Sequence, residues 1–152
     1  MGLIQTTRII SVFIDTSVLY AAMVSPTGAA RELLYAWFRG RCRLYLSALV
    51  FAEIERNLEA KAPELLPFLR AFQSIPSLHL VEPSRSLIER ASRIVVEKDA
   101  PIVAAAAECK ADYLATFDRV HILSRKHKIL AEFGVVTVLP GDVLAALRAA
   151  DL

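Results

Sequence analysis

The run Ile9 to Ile14, closed by Asp15, constrains this chain more than any other stretch. β-Branched and aromatic residues in near-unbroken succession read as a buried strand. The strand stops on a carboxylate, and the next two residues, Thr16 and Ser17, are of the kind that start helices and turns. In an open parallel sheet, ligands bind at the carboxyl ends of the strands. Three further carboxylates, Glu53, Asp99 and Asp118, each stand where an element begins or ends, and we read them as converging with Asp15.

The rest of the chain alternates between strand and helix signals. A helical turn over 17–23 and a loop over 25–28 lead into a helix over 29–39, with Leu33, Leu34, Trp37 and Phe38 at helical spacing and Gly40 as C-cap. A strand over 43–46 meets Ser47, which caps a helix over 48–60. Pro63 opens a helix reaching Gln73, a third strand is expected over 77–81, and Ser84 caps a helix to Lys98. Asp99, as N-cap, and Pro101 begin a helix to Lys110. A fourth strand over 111–116, a basic helical stretch over 121–133, a fifth strand over 135–139 and a helix over 143–150 complete the chain. This alternation predicts an α/β fold: a three-layer α/β/α sandwich around a mostly parallel five-stranded sheet. With the order 3-2-1-4-5, strands one and four are neighbours and bring Asp15 and Asp118 together.

The chain, residues 1–152, is long enough for one domain, which at this size buries roughly two-thirds of its unfolded surface. Its 55% hydrophobic content suits strands covered on both faces and a surface that associates with itself. A net charge of +2 shows no strong field for nucleic acid, although Arg and Lys cluster at 39–43 and 125–128. Cys42 and Cys109 have no metal-like spacing and read as reduced thiols of a cytoplasmic protein. No leader sequence is seen, and no window approaches the ~20 apolar residues of a membrane span.

Clustered carboxylates repel unless a cation neutralises them, and hard oxygen ligands select Mg²⁺ or Mn²⁺. Such a site suits phosphodiester hydrolysis with an activated water. Aspartyl-phosphate chemistry is disfavoured: it wants a second acid where Ser17 stands, and no lysine follows a predicted strand end. Nor do the two cysteines have histidine partners for nucleophilic catalysis.

Four segments carry a family resemblance: 13–17 (Phe-Ile-Asp-Thr-Ser), 47–53 (Ser-Ala-Leu-Val-Phe-Ala-Glu), 99–107 (Asp-Ala-Pro-Ile followed by Val and four Ala) and 111–118 (Ala-Asp-Tyr-Leu-Ala-Thr-Phe-Asp). In this order, over most of the chain, they resemble the PIN domain of VapC-type toxins and stand-alone PIN ribonucleases. The resemblance implies that Asp15, Glu53, Asp99 and Asp118 hold one or two metal ions and cleave RNA, with Ser17 and Thr116 orienting a carboxylate or water. It also implies a homodimer, and an antitoxin protein as partner if the chain is a toxin. Val120 stands where many relatives carry a further acid, which weakens a second metal position, and the bulky Phe117 narrows access.

Other residues weigh differently. Asp112 reads as a strand-edge or turn residue, and the aromatic residues Trp37, Phe38, Phe68 and Phe72 as core or dimer contact. His121 and His127 have no evident acid partner and read as surface or phosphate contacts. Arg119, Arg125, Lys126 and Lys128 are the candidate RNA-phosphate contacts. The competing reading is a PIN-like scaffold that binds protein or RNA without cutting, which the loss of one acid would mark.

Overall fold

The computed structural model describes residues 8–151. Its centre is a five-stranded sheet, all parallel, in the order β3-β2-β1-β4-β5. β1 (Ser11–Ile14) is the middle strand, and Val12, Phe13 and Ile14 are buried in succession because helices cover both faces. β2 (Arg43–Leu46) and β4 (Tyr113–Ala115) flank it, and β5 (Val136–Val138) lies outside β4. β3, at the other edge, is only His79–Leu80, both exposed, where a strand over 77–81 was expected. Leu78 instead donates its backbone N–H to Ile75 in a turn, which keeps the first residues out of the ladder. A short edge strand offers little to a stray pairing partner.

The helices that connect the parallel strands form packed groups. α1 (Thr16–Val24), α2 (Ala29–Phe38), α3 (Ala48–Lys61) and α4 (Leu66–Gln73) pack together, joined by the C-terminal α8 (Pro140–Ala150) against α2. α5 (Arg85–Ser92) and α6 (Ala100–Glu108) pack on each other, and α7 (Lys126–Phe133) lies against β5. No helix among the described residues is long and apolar enough to cross a membrane.

Several helices are shorter than their apolar patterns predict. α4 is preceded by a 3-10 turn over Pro63–Leu65, because Pro67 has no N–H to continue a single helix from Pro63. α5 ends at Ser92, as Arg93 and Ile94 tighten onto carbonyls three residues back and Val96 turns extended. That exit still buries Val95, so the expected inner face survives the loss of the last turn. α7 starts only at Lys126, because the Asp118 carbonyl accepts from Ile122 and Leu123 and shapes the preceding segment into turns. Gly40, at φ +78°, ends α2 as expected, where the left-handed backbone favours glycine.

Candidate active site

Asp15 is the residue through which β1 becomes α1. It is 4% exposed, and it caps the helix: Oδ1 accepts from the Val18 backbone at 3.1 Å and from Ser17 Oγ at 2.6 Å. Oδ2 accepts from Thr116 Oγ1. The sheet register explains this last bond, since Ile14 lies beside Ala115 and the next pair outward is Asp15 and Thr116. Burial pushes the Asp15 carboxyl above its ordinary range; the three donors pull it back and the Asp118 charge pushes it further up.

Asp118 follows β4 on a turn that its own groups build. Its backbone N–H donates to Thr116 Oγ1 at 3.0 Å, and its Oδ1 accepts from the His121 backbone at 2.9 Å. Ser17 Oγ accepts from the Phe117 backbone at 3.0 Å, tying this turn to the start of α1. Glu53 enters from α3, which Ser47 caps by accepting from the Val50 backbone. Thr16 Oγ1 donates to Glu53 Oε2 at 2.7 Å and holds the carboxylate toward the end of β1.

Asp99 stands at the N-cap position of α6 but makes no side-chain capping bond, contrary to the capping role its position suggests. Its Oδ2 is cut off from solvent and has no hydrogen-bond partner. Burial raises its pKa first of all; Lys98 and His121 oppose the shift, and Asp118 and Glu53 add to it. A buried carboxylate oxygen without a donor is costly unless something else satisfies it.

All four carboxylates line one cavity of about 280 Å³, with Thr16, Ser17, Tyr20, Asn57, Ile102 and Ile122. One ligand atom each from Asp99, Asp118 and His121 lie within 4.8 Å of one another. The expectation that His121 lacks an acid partner is corrected, as its Nδ1 sits 3.6 Å from Asp118 Oδ2. The three-residue spacing from Asp118 was the available signal. Thr16, Tyr20 and Asn57 were also missed. Thr16 directly follows Asp15, and Asn57 is one helical turn beyond Glu53 on α3.

The donor set fits a hard divalent cation: mainly carboxylate oxygens, one of them buried and otherwise unsatisfied, with a single imidazole beside them. Such an ion would be held by Asp99 and Asp118, with Asp15 and Glu53 on the same wall.

The other predicted residues fall elsewhere. Arg119, Arg125, Lys126 and Lys128 are exposed, and none lines the cavity. His127 is exposed on α7. Phe117 is 41% exposed and stands outside the cavity lining. Asp112 belongs to the opposite end of the sheet, where it accepts from the Ser11 backbone at 2.9 Å and pairs with Arg8. Cys42 and Cys109 are both free, and burial pushes each thiol up to about 11.

A family model for the PIN domain matches residues 11–120. Among curated proteins, no sequence matches the chain. Several solved structures share the fold, among them the three that follow. VapC20 of Mycobacterium tuberculosis, a sarcin-ricin loop cleaving toxin, is 16% identical with a TM-score of 0.53, over 72% of this chain and 91% of its own. PAE2754 of Pyrobaculum aerophilum is 21% identical with a TM-score of 0.56, over 92% and 96%. VapBC2 of Rickettsia felis, solved bound to a DNA fragment from its promoter, is 15% identical with a TM-score of 0.58, over 86% and 98%.

Proposed function

The chain belongs to the PIN-domain family, and on that premise we propose that it is a divalent-metal-dependent endoribonuclease acting as a single domain in the cytoplasm. The observation that carries the reading is the Asp99 oxygen, buried and without a partner in a cavity lined by three other carboxylates. A purely structural helix start would use that oxygen as a cap. Asp15, Glu53, Asp99 and Asp118 are the metal and catalytic residues of this proposal, with Mg²⁺ or Mn²⁺ as the ion. When bound, the ion supplies an activated water and neutralises charge developing on the phosphoryl oxygens.

The chain's own residues prepare the site. Ser17, Thr116 and the Val18 backbone leave Asp15 one orientation, and Thr16 does the same for Glu53 through a single bond. The apolar side chains of Ile102 and Ile122 form part of the wall and restrict water beside the carboxylates. His121 places Nδ1 3.6 Å from Asp118 Oδ2, at the Asp99–Asp118 end of the cavity.

Likeness to VapC20 and VapBC2 supports a toxin role with an antitoxin protein as partner. The alternative, a PIN-like scaffold that no longer cuts, finds no support in the acids, since none of the four is missing. The reading is tested with single-stranded RNA, Mn²⁺ or Mg²⁺, and the wild type beside Asp15→Asn. The expected result is metal-dependent cleavage by the wild type and its loss in the variant. Mn²⁺ at a hundred times its Kd should also stabilise the wild type by about 2.7 kcal/mol. No stabilisation at any Mn²⁺ concentration, in either protein, would overturn the reading in favour of the scaffold.

A further inference from the structure

The cavity extends beyond its carboxylates. Its lining includes Tyr20 of α1 and Asn57 of α3 beside the four acids. On α3 the residues Glu53, Asn57 and Lys61 recur every four positions, so they form one stripe along the helix. At 1.5 Å of rise per residue that stripe runs about 12 Å from Glu53 to Lys61. Along it the chemistry passes from carboxylate to amide to ammonium.

Lys61 does not swing freely at the end of the stripe. Its Nζ lies 5.6 Å from the centroid of the Tyr20 ring, within the range of a cation–π contact. Tyr20 in turn lines the cavity, so the ring anchors a positive charge at the cavity's rim. This matters because a polyanionic strand entering a nest of carboxylates is repelled unless cations receive its other phosphates. The basic run of α7 is off the cavity lining, whereas the Lys61–Tyr20 pair adjoins it.

We propose that the Glu53–Asn57–Lys61 stripe of α3, with Tyr20, is a nucleotide-binding track that receives the phosphate next to the one being cut. Lys61 makes the phosphate contact, Asn57 offers an amide to the intervening sugar or base, and Tyr20 is a positioning residue that holds the ammonium in place. The track rests on the ribonuclease reading and adds the direction in which the strand leaves the site, over α1 and α3 rather than over α7.

The test is binding of a short single-stranded RNA to the full chain, measured over a range of salt concentrations alongside cleavage in Mn²⁺. Lys61→Gln should weaken binding roughly tenfold and lower the salt slope by about 0.7, the value for one lost contact on a single strand. Lys61→Arg should restore the slope. Tyr20→Leu should weaken binding roughly threefold, and Lys126→Gln should match the wild type. Cleavage by the wild type with an unaltered slope in Lys61→Gln overturns the track and leaves the nuclease standing. A Lys61-dependent slope without any cleavage does the reverse. If Lys126→Gln, and not Lys61→Gln, loses the slope, the strand leaves over α7 and the proposal is wrong.

Discussion

Asp99 carries the most exposed trade-off between stability and use in this molecule. Its carboxyl is raised above the ordinary 3.8, first by burial, so the folded chain holds its proton more tightly than the unfolded chain does. The sign follows directly. The stabilising contribution is complete below 3.8 and is lost as pH rises through the folded-state pKa, leaving the ionised acid as a cost at neutral pH. Asp15, also raised, has the same sign. In metal-free buffer, Asp99→Asn should therefore be more stable than the wild type at pH 7. The gap should close toward pH 4, as thermal melts across that range would show; a gap independent of pH would count against the assignment. Thr16 illustrates a different kind of residue, one that works through a neighbour. Removing its hydroxyl in Thr16→Val frees Glu53 Oε2, and Mn²⁺ affinity by calorimetry should fall roughly 10- to 100-fold. The fold should lose little, because the bond sits on a half-buried surface.

Among the elements, α6 ends in an unusual way. Lys110 adopts φ +52°, with its N–H donating to Ala107 and that of Ala111 to Ala106, a left-handed helix ending in which glycine is the usual residue. Lys110→Gly should raise stability by about 1 kcal/mol, seen as a higher denaturant midpoint at unchanged slope. Element boundaries show where local sequence stops being informative. The Ser47 cap, the Gly40 ending and the start of α2 were legible because each depends on residues within one turn of itself. The C-terminal turn of α5 and the start of α7 were not. Their apolar spacing continues, but the backbone is diverted by Val95 entering the core and by hydrogen bonds to Asp118. Only the capping role expected of Asp99 failed, and for the same reason: its position at a helix start is local, while the carboxylates that share its cavity come from other elements.

For the whole molecule, strand–helix alternation leads to a mostly parallel sheet; the structure has the expected strand order, and all of its pairings are parallel. The surface departs from a uniformly polar one. Phe38 is 70% exposed and Phe68 39% exposed, flanking a groove between α2 and α4 whose floor includes the edge-on pair Trp37 and Phe72. We propose this face as the contact of the homodimer expected from the sequence. The expected mass in solution is twice that of the chain, and Phe38→Glu should shift light scattering to the monomer. A wild type that is monomeric at tens of micromolar would rule the dimer out.

By itself, the sequence determined the architecture and the four segments that bring acids to the carboxyl edge of the sheet. Strand and helix periodicity, short connections and chirality are properties of neighbouring residues and leave few alternatives. Tertiary structure alone decided which acid each hydroxyl holds. Thr116 reaches Asp15 across 101 residues, and Thr16 reaches Glu53 across 37. It also decided that Asp99 faces the cavity instead of capping its helix, that His121 joins Asp118, and that Tyr20 and Lys61 meet at the rim. Those relations depend on register and helix rotation, which packing of the whole chain sets to within an ångström and no local pattern encodes.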